Sequence, residues 1–382
     1  MKKFLFLILS FILIFNGFNK KNIVKADELD LFSTSVCLME PISKRVIYSK
    51  NPHQKLYPAS MTKMMGLYLI LEAVENKKIS FDDEVIVSSY ASSMGGTQIF
   101  LEENEKMKVQ DLFKAVAINS SNDAIVALGE YLASSNDNFV KMMNDKAKQF
   151  NMNDTHFNNA TGFDDPEHYT SSYDMALLGS YLVGFEDKIL KYSSMQEGYV
   201  RENTSKPFWL VNTNKLLKYY EGMDGLKTGF TSKAGYNLTA TAKRNGVRIV
   251  STVMNLDTIA HRSQDTIKLL DYGFSKLKAI SLYSKDDVVS TFEIDASLNK
   301  YLIASCKQEI KIILNKEDDE NDLLINAVLE KEAPYIENEL VGYLEIKTPS
   351  GVIFKYNLYA LNSVSKPNFI TYLLNILKQL FI

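Results

Sequence analysis

The chain has 382 residues, of which 46% are hydrophobic and 23% charged, the make-up of a folded protein with room for about two domains. Its net charge of −3 gives no electrostatic basis for nucleic-acid binding, so no nucleic acid is expected as a partner. Its two cysteines, Cys37 and Cys306, lie far apart in no metal-like spacing and read as buried thiols; no metal and no cofactor is expected.

Lys2 and Lys3 precede the apolar run FLFLILSFILIF and a polar stretch that ends VKA. A basic start, an apolar run and a small-residue close read as a secretory signal peptide over residues 1–26. The body is therefore expected to be exported and to work at the outer face of the cytoplasmic membrane or in the cell wall. SVCLMEPISKRVIYSK (35–50) predicts two short strands around a turn. From Ser60 to about Asn76 the pattern is helical, with Met61, Met64, Met65, Leu67, Leu69 and Ile70 spread nearly all round, so this helix is expected to be buried on most faces. QDLFKAVAINSSNDAIVALGEYLAS (110–134) predicts two helices with a polar break at 119–123. TSSYDMALLGSYLVGF (170–185) predicts another, with cap candidates from Thr170 to Ser172.

In KTGFTSKAGYNLTATAKRNGVRIVSTVMN (227–255), Tyr236, Leu238, Ala240 and Ala242 alternate with polar residues. Asn245-Gly246 then marks a tight hairpin and VRIVSTVM returns. A helix follows over about 259–274. Beyond residue 276 strand-like runs dominate, including KQEIKIIL and a hairpin in VGYLEIKTPSGVIFKYNLYAL. The tail NFITYLLNILKQLFI places Thr371, Asn375, Lys378 and Gln379 on one side. It is short for a bilayer span and reads as an amphipathic helix lying on a membrane surface. The expected division is a mixed α/β part over 27–275, a small β-rich part over 276–365 and the anchor over 366–382.

Three short stretches carry chemistry. Ser60 and Lys63, three apart, meet on one helix face. A serine hydroxyl is a poor nucleophile until a base takes its proton, and a lysine can serve when burial and positive neighbours lower its pKa. The spacing alone is weak, because it recurs at Ser275/Lys278, Ser297/Lys300 and Ser363/Lys366. In NSSNDA (119–124), Ser120 and Asn122 sit in the polar break, where a hydroxyl can relay a proton and an amide can hold a carbonyl; helix capping is the common alternative. GLKTGFT (225–231) occurs once. Lys227 and Thr228 there can hold a carboxylate, and Gly229 would let a substrate backbone come close. An edge strand at this point could also pair with a peptide.

In this order, Ser-x-x-Lys, Ser-x-Asn and Lys-Thr-Gly resemble the set of the penicillin-binding proteins and serine β-lactamases. LYPASMTKMM, NSSNDAIVALGEYL, NNATGFDDPEHYTSSYDMALLGSYL, DGLKTGFTSKAGYNLTATA and HRSQDTIKLLDYGF look like the D-alanyl-D-alanine carboxypeptidases of low molecular mass, over about residues 30–275. The following β-rich part and amphipathic tail are similar to that family's plan. The resemblance implies an α/β (α+β) β-lactamase/transpeptidase-like domain, a mainly antiparallel sheet with helices packed around it. It implies that Ser60 attacks the carbonyl between the last two D-alanines of a peptidoglycan stem peptide, with Lys63 as base and Ser120 passing the proton to the leaving amine. Lys227 would set the local charge and Asn122 would hold the substrate amide. Thr228 and Arg262 would grip the terminal carboxylate, and the N–H groups of Ser60 and Phe230 would form the oxyanion hole beside Gly229. β-Lactams are the implied inhibitors. Phe230 stands where some relatives carry histidine, which leaves the backbone role intact.

The rival chemistries fit less well. None of the four histidines lies in a Gly-x-Ser-x-Gly setting, and there is no HExxH. A class A β-lactamase shares the three motifs but uses a glutamate-held water, and no Glu-x-x-Leu-Asn occurs between Asn122 and Lys227. An inactive wall-binding module and an endopeptidase acting on D-alanine cross-links use the same residues and stay open at this point.

Overall fold

The computed structural model describes residues 29–294, 301–366, 369, 370 and 373. The predicted leader lies outside these residues, as does most of the predicted C-terminal helix. Five strands form the central sheet: β1 (Ser35–Glu40), β2 (Arg45–Lys50), β3 (Met223–Thr231), β4 (Gly235–Arg244) and β5 (Val247–Leu256). Their order is β2-β1-β5-β4-β3, every pairing antiparallel. The β4–β5 turn is the predicted one: Asn245 and Gly246 both have positive φ, 48° and 80°, as a tight hairpin with the strands' own twist demands. Strand β3 begins four residues before Lys227, so Lys-Thr-Gly lies inside the strand. The four residues before Lys227 include Gly225, a weak strand former that pairing with β4 overrides, and Asp224, which falls at a shift in the register.

Six helices matter for the site: α1 (Lys63–Glu75), α2 (Val109–Asn119), α3 (Asn122–Ala133), α4 (Asn136–Gln149), α5 (Ser172–Leu182) and α6 (Ile259–Lys276). Successive strand residues face opposite sides of a sheet, and β5 uses both sides. A Cβ on Gly179 of α5 would lie 2.8 Å from Val250, and one on Gly273 of α6 would lie 2.6 Å from Ile249. Helix α5 thus packs on one face and α6 on the other. Both begin at side-chain caps: Ser171 accepts from the Asp174 N–H at 3.2 Å and Thr258 from the His261 N–H at 3.1 Å. Helix α1 is buried nearly all round, as its sequence predicted. Phe139 of α4 fills the space over Gly129 of α3, and Ile125 of α3 that over Gly66 of α1.

Beyond α6 the chain is β-rich. Strands β6 (Leu277–Tyr283), β7 (Val288–Glu293), β8 (Tyr301–Ser305), β9 (Ile310–Asn315), β10 (Leu324–Leu329), β11 (Leu340–Lys347) and β12 (Ile353–Ala360) make two sheets, β6-β9 and β7-β8-β12-β11-β10. They enclose a second apolar core around Leu302, Ile312, Leu344 and Leu358. Cys37 and Cys306 are free and buried. Among the described residues no helix is long and apolar enough to cross a membrane.

Candidate active site

Ser60 stands in a short 3₁₀ turn, Ala59–Thr62, that runs straight into α1. The residue before it, Ala59, has φ +49°, a left-handed conformation that costs an alanine roughly 1–2 kcal/mol. Lys63 is the first residue of α1 and is fully buried. Its Nζ donates to Ser60 Oγ at 2.9 Å and to the Thr161 carbonyl at 2.6 Å. Burial first, and then the charge of Lys227, hold its pKa well below the usual lysine value, against a smaller opposing pull from Asp123. The positive end of α1 acts in the same direction.

The polar break between α2 and α3 is only Ser120 and Ser121 wide. Ser120 ends α2 with φ +71°, and its buried Oγ has no partner among the described residues. Asn122 opens α3. Its N–H donates to the Thr97 carbonyl at 2.6 Å and its Nδ2 to the Gly95 carbonyl at 2.8 Å. Asp123 beside it accepts from the N–H groups of Ile99 and Leu101 at 3.0 and 3.1 Å. The turn that carries Ser120 is thereby tied to the loop over 95–101.

Strand β3 supplies the opposite wall, and it is the free edge of the sheet. Lys227 is buried, its Nζ 3.2 Å from the Thr228 carbonyl. Burial, then the charge of Arg262, lowers its pKa to about 7. Thr228 Oγ1 lies 2.6 Å from Thr213 Oγ1. Arg262 is buried in the cleft wall, with its pKa lowered to about 10 by burial. Gly229 packs on the nucleophile's own turn. A Cβ there would fall 2.5 Å from the Pro58 carbonyl oxygen and 3.2 Å from the Met61 nitrogen. The chain around Ser60 thus makes a close backbone approach that itself requires glycine.

Ser60, Ser120, Thr228, Gly229, Phe230 and Arg262 line one cleft of about 510 Å³. Lys63 and Lys227 lie buried beneath it, and Asn122 backs it through Thr97, which also lines it. The nine residues singled out in the sequence therefore converge. Sequence reasoning passed over Thr213, Lys215 and Ile259, which share the lining, and Thr161. Thr161 acts through its main-chain carbonyl, which no residue type betrays. Chemically the site holds a partly buried hydroxyl against an amine whose pKa is lowered, with Lys215 and Arg262 in the lining where an anion can bind. Among the described residues no group of three or more His, Cys, Asp or Glu side chains could hold a metal ion.

Comparison with known proteins agrees with this geometry. The family profile described as D-alanyl-D-alanine carboxypeptidase matches residues 20–258, and that of the penicillin-binding protein 5 C-terminal domain matches residues 278–366. The D-alanyl-D-alanine carboxypeptidase DacF of Bacillus subtilis is 38% identical over 360 residues, covering 94% of this chain and 92% of its own. The structure of penicillin-binding protein 5 from Haemophilus influenzae covers 89% of this chain and 99% of its own, with a TM-score of 0.71 and 28% identity. Penicillin-binding protein D2 of Listeria monocytogenes, solved with ampicillin bound, covers 65% of this chain and 99% of its own, with a TM-score of 0.55 and 33% identity.

Proposed function

Because the chain belongs to the D-alanyl-D-alanine carboxypeptidase family, we propose that it removes the terminal D-alanine from peptidoglycan stem peptides through an acyl-enzyme on Ser60. The observation that carries this reading is the 2.9 Å contact between Ser60 Oγ and a fully buried Lys63 amine. Neutral Lys63 takes the Ser60 proton as Oγ attacks the carbonyl carbon of the penultimate D-alanine. The N–H groups of Ser60 and Phe230 receive the negative charge that forms on the carbonyl oxygen. Ser120 passes the proton to the leaving amine, D-alanine departs, and water hydrolyses the ester. Lys227 helps set the local charge. Asn122 holds the substrate amide, while Thr228 and Arg262 bind the terminal carboxylate. The free edge of β3 suits an extended peptide beside Gly229. β-Lactams would acylate the same hydroxyl. The test is release of D-alanine from an N-acylated peptide ending in D-Ala-D-Ala. One D-alanine per peptide is expected, with none from Ser60→Ala; release unchanged in Ser60→Ala would reject the reading.

In this reading residues 27–275 are the catalytic part, 276–365 a β-rich part and 366–382 an anchor on the outer face of the membrane. The N-terminal pattern supports export. Phe369, Ile370 and Leu373, helical and exposed, support an apolar face turned to lipid. A protein ending at Ser365 is expected to stay in the supernatant with phospholipid vesicles that sediment the full mature chain; equal sedimentation of both would place the anchor elsewhere.

A further inference from the structure

A neutral lysine amine has one lone pair and two N–H groups. To act on Ser60 the lone pair must face the hydroxyl, so the N–H groups must be directed elsewhere, and in a buried site they need acceptors. The Thr161 carbonyl takes one of them at 2.6 Å. What aims that carbonyl is therefore part of the base.

The carbonyl belongs to the Thr161-Gly162 peptide. In a planar trans peptide the C=O and the following N–H point in opposite directions. The Gly162 N–H donates to Asn159 Oδ1 at 2.7 Å. One face of this peptide is thus held by Asn159 while the other meets Lys63. The same Oδ1 accepts from the N–H groups of Thr161 and Phe163 at 3.2 and 3.1 Å and from Thr161 Oγ1 at 3.0 Å. Asn159 Nδ2 donates to the Phe163 carbonyl at 3.0 Å. The segment is also pressed on the nucleophile's turn. Gly162 has φ +90°, and a Cβ there would lie 1.9 Å from the Ala59 carbonyl oxygen. His168 anchors it from outside: Nδ1 accepts from the Asn158 N–H at 2.9 Å, and Nε2 bonds Thr62 Oγ1 at 2.7 Å.

We propose that Asn159 is a positioning residue for the base: through the Thr161-Gly162 peptide its side chain turns the Lys63 lone pair toward Ser60. The proposal rests on Lys63 being the base. Asn159 touches neither substrate nor reacting atoms, so its loss slows the covalent step and spares ligand binding.

The experiment is stopped-flow acylation by a fluorescent penicillin, which separates the non-covalent dissociation constant from the acylation rate constant. Asn159→Ala is expected to lower the rate constant about 10- to 100-fold, the scale of a misplaced catalytic group, with the dissociation constant within about threefold of the parent. Asn159→Asp keeps an oxygen for the Gly162 N–H and is expected to recover most of that loss. Should Asn159→Ala fail to fold, Asn159→Gln decides: it keeps the amide, shifts it by one methylene, and must show the same selective loss. Parent-like acylation in Asn159→Ala or Asn159→Gln, or an Asn159→Asp as slow as Asn159→Ala, would overturn the proposal. A parent that is not acylated at all would instead reject the Ser60 reading on which it stands.

Discussion

Replacing Lys227 with methionine should destroy activity and yet stabilise the protein, by an amount that depends on pH in a defined direction. In the unfolded chain the amine keeps its proton up to about pH 10.4. In the fold, burial and Arg262 bring it to about 7. Between those values the unfolded state binds more protons, so the parent gains stability as pH rises. The full displacement corresponds to roughly 5 kcal/mol, at about 1.4 kcal/mol per unit, and it weighs on the fold completely below about pH 6. Methionine has similar length and no charge. Its advantage is offset by the lost hydrogen bond to the Thr228 carbonyl, about 1 kcal/mol, and by imperfect repacking. A net gain of about 1–3 kcal/mol is expected at pH 6, in the range seen when buried charges give way to apolar side chains. The advantage should shrink by about 3 kcal/mol between pH 6 and pH 9 as the parent sheds its proton. Urea unfolding of both proteins at several pH values measures this. A Lys227→Met protein less stable at every pH, or a difference independent of pH, would refute the electrostatic account of the site.

Lys63→Ala should leave the fold intact and abolish acylation by benzylpenicillin; acylation at the parent rate would remove lysine from the mechanism. In the parent, the acylation rate should fall as pH drops through the lowered Lys63 value; stopped-flow rates over a pH series measure this, and a flat profile would contradict it. Gly162→Ala should destabilise by more than the roughly 1–2 kcal/mol of a left-handed alanine, because its Cβ meets the Ala59 backbone; thermal unfolding tests this. Arg262→Ala should weaken turnover of peptides with a free terminal carboxylate at least tenfold more than that of their methyl esters, and an equal loss on both would deny it the carboxylate.

Much of the site was legible because its chemistry sits on side chains at fixed short spacings. Ser60 and Lys63 are one helical turn apart, and the apolar residues around them announce a buried amine. Asn245-Gly246 betrays its hairpin because few other pairs tolerate positive φ twice. What was missed has equally physical causes. Gly229 was read as room for substrate; that its position also meets Pro58 and Met61, more than 160 residues away in sequence, no local pattern announces. Thr161 serves through a carbonyl that any residue possesses. Thr213 reaches Thr228 from Asn-Thr-Asn just after a two-stranded hairpin, Glu197–Val200 with Phe208–Val211, whose short strands carry no strong period.

The most direct test of the central claim is intact mass over time for residues 27–365 with benzylpenicillin, beside Ser60→Ala. The account predicts one drug-sized adduct on Ser60, persisting for minutes or longer, and none on the variant. An adduct that vanishes within seconds while drug is consumed, or no adduct on the folded protein, would contradict it.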